Sequence, residues 1–439
     1  MKHLIKFLLL FPVYFACCCN SLWAQELPSY SLEQLIDSAL RNNHTLAIKE
    51  WQIKEKLAKI DEDKIKRYPS TTLNGNYLHN FNLGELTIPA GAISESSPTT
   101  DRSFTVGEHN ASTVGILAYQ PITQQAKIKT GLEADKTDVR LTEKEKFKLS
   151  LQIKQSTEQL YYIILITQKQ VEEAKADLEL AKSKLNDAEN AMLAGKAITA
   201  DRAGLQANVA DREQNILKLN IQIQDYTGDL INITGINATS LKLQEVDPAI
   251  QSLNGVDEYK NTAKSSNADL QIADLNRSKA LLGIKASKQS NIPDLGLVGG
   301  FAHQFGNAIT PANNPFVGIS FKWDLQGIFS NKQITRQRQF QLRQAEENII
   351  STRDRVSNDI DKAYRKINQA QALIGVAQKA VVYRKEELKL QEDKQAAGKN
   401  MTTDLFNTRS LLAKAEADMY AAQLSYLMAV TDLNILTGK

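Results

Sequence analysis

Hydrophobic and polar residues along this chain repeat with two different periods, and the change from one to the other marks its elements. From Ser31 to Lys66 the spacing is helical, with Leu32, Leu35, Ile36, Ala39 and Leu40 returning on one face behind Ser31, a residue suited to an N-cap. Pro69 ends that helix and starts extended chain. From Thr71 the period drops to two: Leu73, Gly75, Tyr77, His79, Phe81 and Leu83 alternate with Thr72, Asn74, Asn76, Leu78, Asn80 and Asn82, one face apolar and the other rich in Asn. After Pro293, Leu295, Leu297, Phe301 and Phe305 share a face. Val317, Ile319, Phe321, Trp323 and Leu325 oppose Gly318, Ser320, Lys322 and Asp324. Strands are expected at about 70–83, 112–121, 294–305 and 316–325. The second alternates least cleanly, because Leu117 and Tyr119 fall on the wrong face.

Each strand pair is followed by a very long helical run. From Ile122 to Leu193 there is no Pro and a single Gly, Gly131. Seventy residues of helix span roughly 105 Å. Heptads are explicit near its end, with Val171, Leu178, Leu185 and Met192 in one column and Ala174, Ala181 and Ala188 in the other. The returning helix carries Val209, Ile216, Ile223 and Leu230 beside Leu205, Leu219, Tyr226 and Ile233. Gly195 and Gly398 fall at the turns of two such helical hairpins, expected at about 123–235 and 330–437, where a residue with positive φ closes a helix.

The chain repeats itself. Residues 194–201 (AGKAITAD) match 397–404 (AGKNMTTD) at an offset of 203, which also pairs Val114-Gly115-Ile116 with Val317-Gly318-Ile319 and Thr234-Gly235 with Thr437-Gly438. Upstream the offset is 224, pairing Asn43 with Asn267, Leu46 with Leu270, Pro69 with Pro293 and Tyr77 with Phe301. One insertion of 21 residues between Tyr77 and Val114 reconciles the two offsets. The expected organisation is a signal peptide (1–24), a first structural repeat (25–235), a linking segment (236–255) and a second repeat (256–439). Each repeat runs helix, strand, strand, long helix, helix.

Composition narrows the class. The 439 residues hold 21 Gly and 10 Pro, none of the Pro after Pro315, as long helices require. Lys2 and Lys6 followed by apolar residues from Phe7 to Cys19, then Leu22-Trp23-Ala24, read as a secretory signal cut after Ala24. Cut there, the chain keeps no cysteine, because Cys17, Cys18 and Cys19 all lie in the signal. Acylation after cleavage before Cys17 is the alternative. Without Lys2 and Lys6 the formal charge falls from +3 to about +1, and no basic tail or aromatic–Arg stretch offers a nucleic-acid surface. No apolar run beyond the signal is long enough for a transmembrane helix. His44, His79, His109 and His303 are scattered, so no metal or other cofactor is expected, and no nucleophile–base arrangement or phosphate loop points to an enzyme.

Four strands with a lipid-like face cannot close a barrel, for which eight are the minimum. Closure demands several copies in a ring: two would give eight strands and three would give twelve. The duplicated element order, the Pro before each first strand and the Gly-x₅-Asp hairpin turns resemble the TolC-like outer-membrane efflux proteins over nearly the whole chain, from about Ser31 to Gly438. That resemblance implies an α+β membrane protein in the outer membrane of a Gram-negative bacterium, in contact with its lipid. It implies a homotrimer with a twelve-stranded barrel, continued through the periplasm by an α-helical barrel of coiled-coil hairpins. It further implies a duct that takes drugs, small molecules or proteins from a periplasmic adaptor and an inner-membrane pump of RND or ABC type. The rival readings are an exported coiled-coil adaptor and a porin without a pump.

The same resemblance makes the hairpin tips the periplasmic entrance. Asp404 falls on an acidic ring position, Asn407 stands where a second acidic residue is usual, and Asp201 takes the place of a gate-latching carboxylate. Three carboxylates converging on an axis would attract cations. The plainer alternative is that Thr199 with Asp201, and Thr402 with Asp404, cap the returning helices. Gln395 and Asn400 replace latch residues. Ala194, Gly195, Lys196, Ala397, Gly398 and Lys399 resemble the tip segments that meet the adaptor, although a turn alone would explain the glycines.

Overall fold

The computed structural model describes residues 29–92, 99–195, 199–238, 240–246, 250, 253–306 and 310–439. The expected signal peptide and the Cys17–Cys19 acylation site lie outside these, as does Lys196. The described elements run β1 (Ser29–Tyr30), α1 (Leu32–Asn42), α2 (His44–Ile65), β2 (Ser70–His79), β3 (Gly84–Ile88), β4 (Arg102–Val106), β5 (Asn110–Pro121), α3 (Gln125–Leu193) and α4 (Thr199–Thr234). They continue with β6 (Lys242–Leu243), α5 (Val256–Ser266), α6 (Ala268–Gln289), β7 (Asp294–Phe305), β8 (Asn313–Lys322), α7 (Leu325–Ala396) and α8 (Thr402–Leu436).

The helix read over 31–66 is two helices. Ser31 and Gln34 form a reciprocal capping box at the start of α1. The chain then turns extended at Asn43, whose Oδ1 accepts from the Thr45 amide at 2.9 Å and so starts α2. Asn267 starts α6 in the same way, accepting from the Leu270 amide at 3.1 Å. The stretch between the first two long strands, where the 21-residue insertion falls, contains the β3–β4 hairpin.

Two compact units emerge, and they interleave the sequence halves. One comprises 47–148 and 262–357; the other holds 149–261 and 358–439 together with the described residues up to Leu46. The first contains an antiparallel sheet in the order β2-β5-β7-β8, so that β5 and β7 join the two halves and β2 and β8 are the edges. Leu73, Ile116, Phe301 and Pro315 form one row across all four strands. With Tyr77, Val114, Leu297, Val317, Ile319 and Phe321 they make one apolar face, exposed throughout, Val317 by 87% and Ile319 by 76%. Thr72, Asn74, Asn76, Thr113, Gln304 and Ser320 occupy the other face together with Leu117 and Tyr119, the two residues that broke the alternation in sequence. Ile53, Ile60, Leu132 and Val139 form a small core between α2 and α3.

In the second unit the core is a cluster of Leu35, Tyr161, Tyr162, Ile164, Leu165, Leu230, Leu243 and Leu424, drawn from five elements. Tyr161 is fully buried and donates to the Gln244 carbonyl at 2.7 Å, which ties the β1–β6 pair to α3; burial pushes its hydroxyl up to about 12. On α3, Val171, Ala174 and Ala181 of the heptad columns are buried, and small residues there let helices approach closely. Buried threonines on α3, such as Thr157 and Thr167, donate to the carbonyl four residues earlier and so leave no unpaired hydroxyl in the packing. No helix among the described residues is long and apolar enough to cross a membrane.

Candidate functional site

The hairpin ends are built by helix termination. In α7 the Gly398 amide donates to the Gln395 carbonyl at 2.9 Å and the Lys399 amide to the Lys394 carbonyl at 2.9 Å, with Gly398 at φ +65°. That is a left-handed helix stop which only glycine adopts without penalty. Ala397 belongs to the same turn, its amide donating to the Asp393 carbonyl at 3.1 Å. Gly195 closes α3 alike at φ +69°, beside Ala194. Asn400 donates to Gln391 within its own hairpin at 2.7 Å.

Asp404 lies in the first turn of α8 and is exposed. The N-cap of α8 is Met401, which makes no side-chain capping bond, so neither Thr402 nor Asp404 caps this helix. Among the described residues no cation pairs with the Asp404 carboxylate; near a helix N-terminus it is favoured by the dipole alone. Asn407 follows one turn later, also exposed. Asp201 lies within α4, its side chain outside the described residues. The structure therefore brings Asp404 and Asn407 onto neighbouring turns of one helix.

A seam that sequence reasoning missed joins α3 to α8. The Thr403 hydroxyl sits 3.0 Å from that of Ser183 and donates to Asp187. Further along, Ser410 donates to Asp177, which Arg212 of α4 also meets at 3.3 Å. At the far end Thr431 donates to Glu158, and Gln155 donates to Asp432 at 2.7 Å. Hydroxyls on α8 thus face carboxylates on α3 at three levels. Burial holds the carboxyls of Glu158 and Glu173 above the ordinary glutamate range, Glu173 helped by Asp418 and Asp177 nearby. No local signal marks these pairs, because partners some 220–270 residues apart meet only once the helix register is set.

In the sheet-bearing unit, two histidines that looked scattered come together. The His79 and His109 rings stack 6.1 Å apart; His79 Nδ1 lies 2.8 Å from Asn110 Oδ1 and His109 Nδ1 donates to the Asn80 carbonyl at 2.7 Å. No group of three or more metal-ligating side chains occurs among the described residues.

Residues 260–439 match the family model of outer membrane efflux proteins, in agreement with the resemblance drawn from the second hairpin turn and the second strand pair. The fold is that of solved outer-membrane channels. A membrane protein from Pseudomonas aeruginosa superposes with a TM-score of 0.73 at 14% identity, covering 95% of this chain and 92% of the other. The Campylobacter jejuni CmeC outer membrane channel gives 0.72 at 15% identity, with 93% and 85% covered. The Vibrio cholerae outer membrane protein VceC gives 0.70 at 15%, with 93% and 96% covered. No curated relative matches the chain by sequence. The matched family is one of efflux proteins, not of enzymes.

Proposed function

We propose, from a chain whose second half matches outer membrane efflux proteins and whose fold is that of outer-membrane channels, that it is the outer-membrane duct of a multi-component export system. The observation that carries this reading is the four-stranded sheet. It has two unpaired edges, one apolar face open to its surroundings and one polar face, and such a sheet is unstable alone in water or in lipid. Three copies joined edge to edge give twelve strands, lipid on the apolar face and water inside. The helical hairpins continue each strand pair into the periplasm.

In this reading Asp404 and Asn407 line the constricted entrance and Asp201 belongs to its latch. The tip residues Ala194, Gly195, Lys196, Ala397, Gly398 and Lys399 meet a periplasmic adaptor, which couples the duct to an inner-membrane pump of RND or ABC type. The cargo, whether drugs, other small molecules or proteins, is chosen by that pump. The porin alternative leaves α3 and α7, of 69 and 72 residues, without a role.

The test is a gene deletion. Cells lacking the protein should accumulate toxic dyes or antibiotics and recover on complementation, and the purified protein should form ion-conducting pores in planar bilayers. Pores without any accumulation phenotype would favour the porin reading, and neither would remove the duct.

A further inference from the structure

Two aromatic rings on the polar face of the sheet lie down on it. Tyr119 of β5 and Phe316 of β8 flank the central strand β7, and each rests on a glycine of that strand. A Cβ built on Gly296 would fall 2.3 Å from Cε2 and 2.5 Å from Cζ of Tyr119. One on Gly300 would fall 2.9 Å from Cζ of Phe316 and 2.4 Å from the Ile116 carbonyl oxygen. No side chain fits at those distances, so both rings cover bare backbone, an arrangement in which an aromatic shields a strand glycine. The Tyr119 hydroxyl donates to Asp294 Oδ1 at 2.9 Å, which pins its ring along the sheet surface. Gly299 projects to the apolar face and is different: its Cβ would meet the Phe316 carbonyl oxygen at 3.5 Å and Val317 Cγ2 at 3.9 Å, both ordinary contacts. A bare backbone is therefore required at 296 and 300, on the polar face, and not at 299.

We propose that Gly296 and Gly300 set the bore of the barrel: they hold Tyr119 and Phe316 flat against its inner wall, so that the exit stays wide and presents aromatic faces to cargo. This rests on the duct reading, in which the polar face lines the lumen. Three protomers would place six flattened rings around the wall. An upright ring at either position would instead project across the water-filled interior.

The test is polymer-exclusion sizing of the purified channel in a planar bilayer, with polyethylene glycols of graded mass added to the side of the barrel mouth. Gly296→Ala puts a methyl group where the Tyr119 ring lies, so that the ring must give up its bond to Asp294 and swing off the sheet. The expected result is a cut-off shifted to smaller polymers, restored in Gly296→Ala/Tyr119→Ala and unchanged in Gly299→Ala. The wild-type cut-off in Gly296→Ala would overturn the inference. Should Gly296→Ala fail to assemble, Tyr119→Ala/Phe316→Ala decides the matter. Removal of flat rings leaves the cut-off unchanged, whereas a clear shift to larger polymers would mean that the rings stand upright and would overturn the proposal. A wild-type protein that forms no pore at all would remove the duct reading, and this inference with it.

Discussion

Thr431→Val keeps the shape of the side chain and removes the hydroxyl that donates to Glu158. Glu158 is only 6% exposed, and burial already holds its carboxyl above the ordinary range. The Thr431 bond and Lys154 on its own helix oppose that rise, while Asp432 on α8 adds to it. Without the hydroxyl the ionised carboxylate loses a partner and keeps its desolvation, a cost of about 1–3 kcal/mol per protomer at neutral pH. Because the folded value lies above the unfolded one of about 4.3, the stability that protonation confers is complete below that pH and is lost as pH rises through the folded value. The variant pushes the folded value higher still, so its deficit belongs to the neutral side and should vanish in acid. Thermal unfolding of the purified protein in detergent at one fixed scan rate, from pH 4 to pH 8, reads this directly. The expected gap from wild type is on the order of 2 °C at pH 8 and closes towards pH 4. Glu158→Gln should flatten the pH dependence in both backgrounds. A gap of constant size across the range would refute the role given to the buried carboxylate.

Three further outcomes follow from the same geometry. In the proposed trimeric duct Asp404→Asn would remove three carboxylates from the entrance, so reversal potentials in a planar bilayer should lose cation preference, while Asp201→Asn should leave it intact; selectivity unchanged at Asp404 would take it out of the entrance. Gly398→Ala forces φ +65° on a residue with a Cβ, at a cost of about 1–2 kcal/mol, and should speed limited proteolysis at the α7–α8 turn; wild-type rates would show that the turn tolerates the strain. Glu85→Cys, exposed on the β3–β4 hairpin, should react with an impermeant thiol reagent on intact cells, and labelling only after disruption of the outer membrane would invert the barrel.

Much of the fold is legible in the sequence because its periods are long and cleanly punctuated. Pro69 and Pro293 stand directly before β2 and β7, and Gly195 and Gly398 stand two residues after the ends of α3 and α7. The columns read on α4, Val209, Ile216, Ile223 and Leu230 with Leu205, Leu219, Tyr226 and Ile233, are its inward-facing positions. What escaped is of two kinds. The breaks at Asn43 and Asn267 are single-residue caps inside otherwise continuous helical patterns, and these two asparagines match each other at the upstream offset, a clue that was present. The seam from Asp187–Thr403 to Glu158–Thr431 is set by tertiary register, which no local pattern encodes. Leu117 and Tyr119, which spoiled the alternation of β5, lie on the polar face, where Tyr119 rests on Gly296. The irregularity in the sequence was a feature of that face. At the tips, the residues are legible only through family resemblance, since exposed Asp404 and Asn407 make no contact that a pattern could have anticipated.

The central claim is that this sheet is completed by two further copies of the chain. Native mass spectrometry of the protein extracted from outer membranes in mild detergent counts those copies without reference to any contact. The account predicts a heat-dissociable assembly of three chains, enough for twelve strands. A monomer would leave both β-edges and the whole apolar face uncovered, a dimer would close on eight strands, and either result would contradict it.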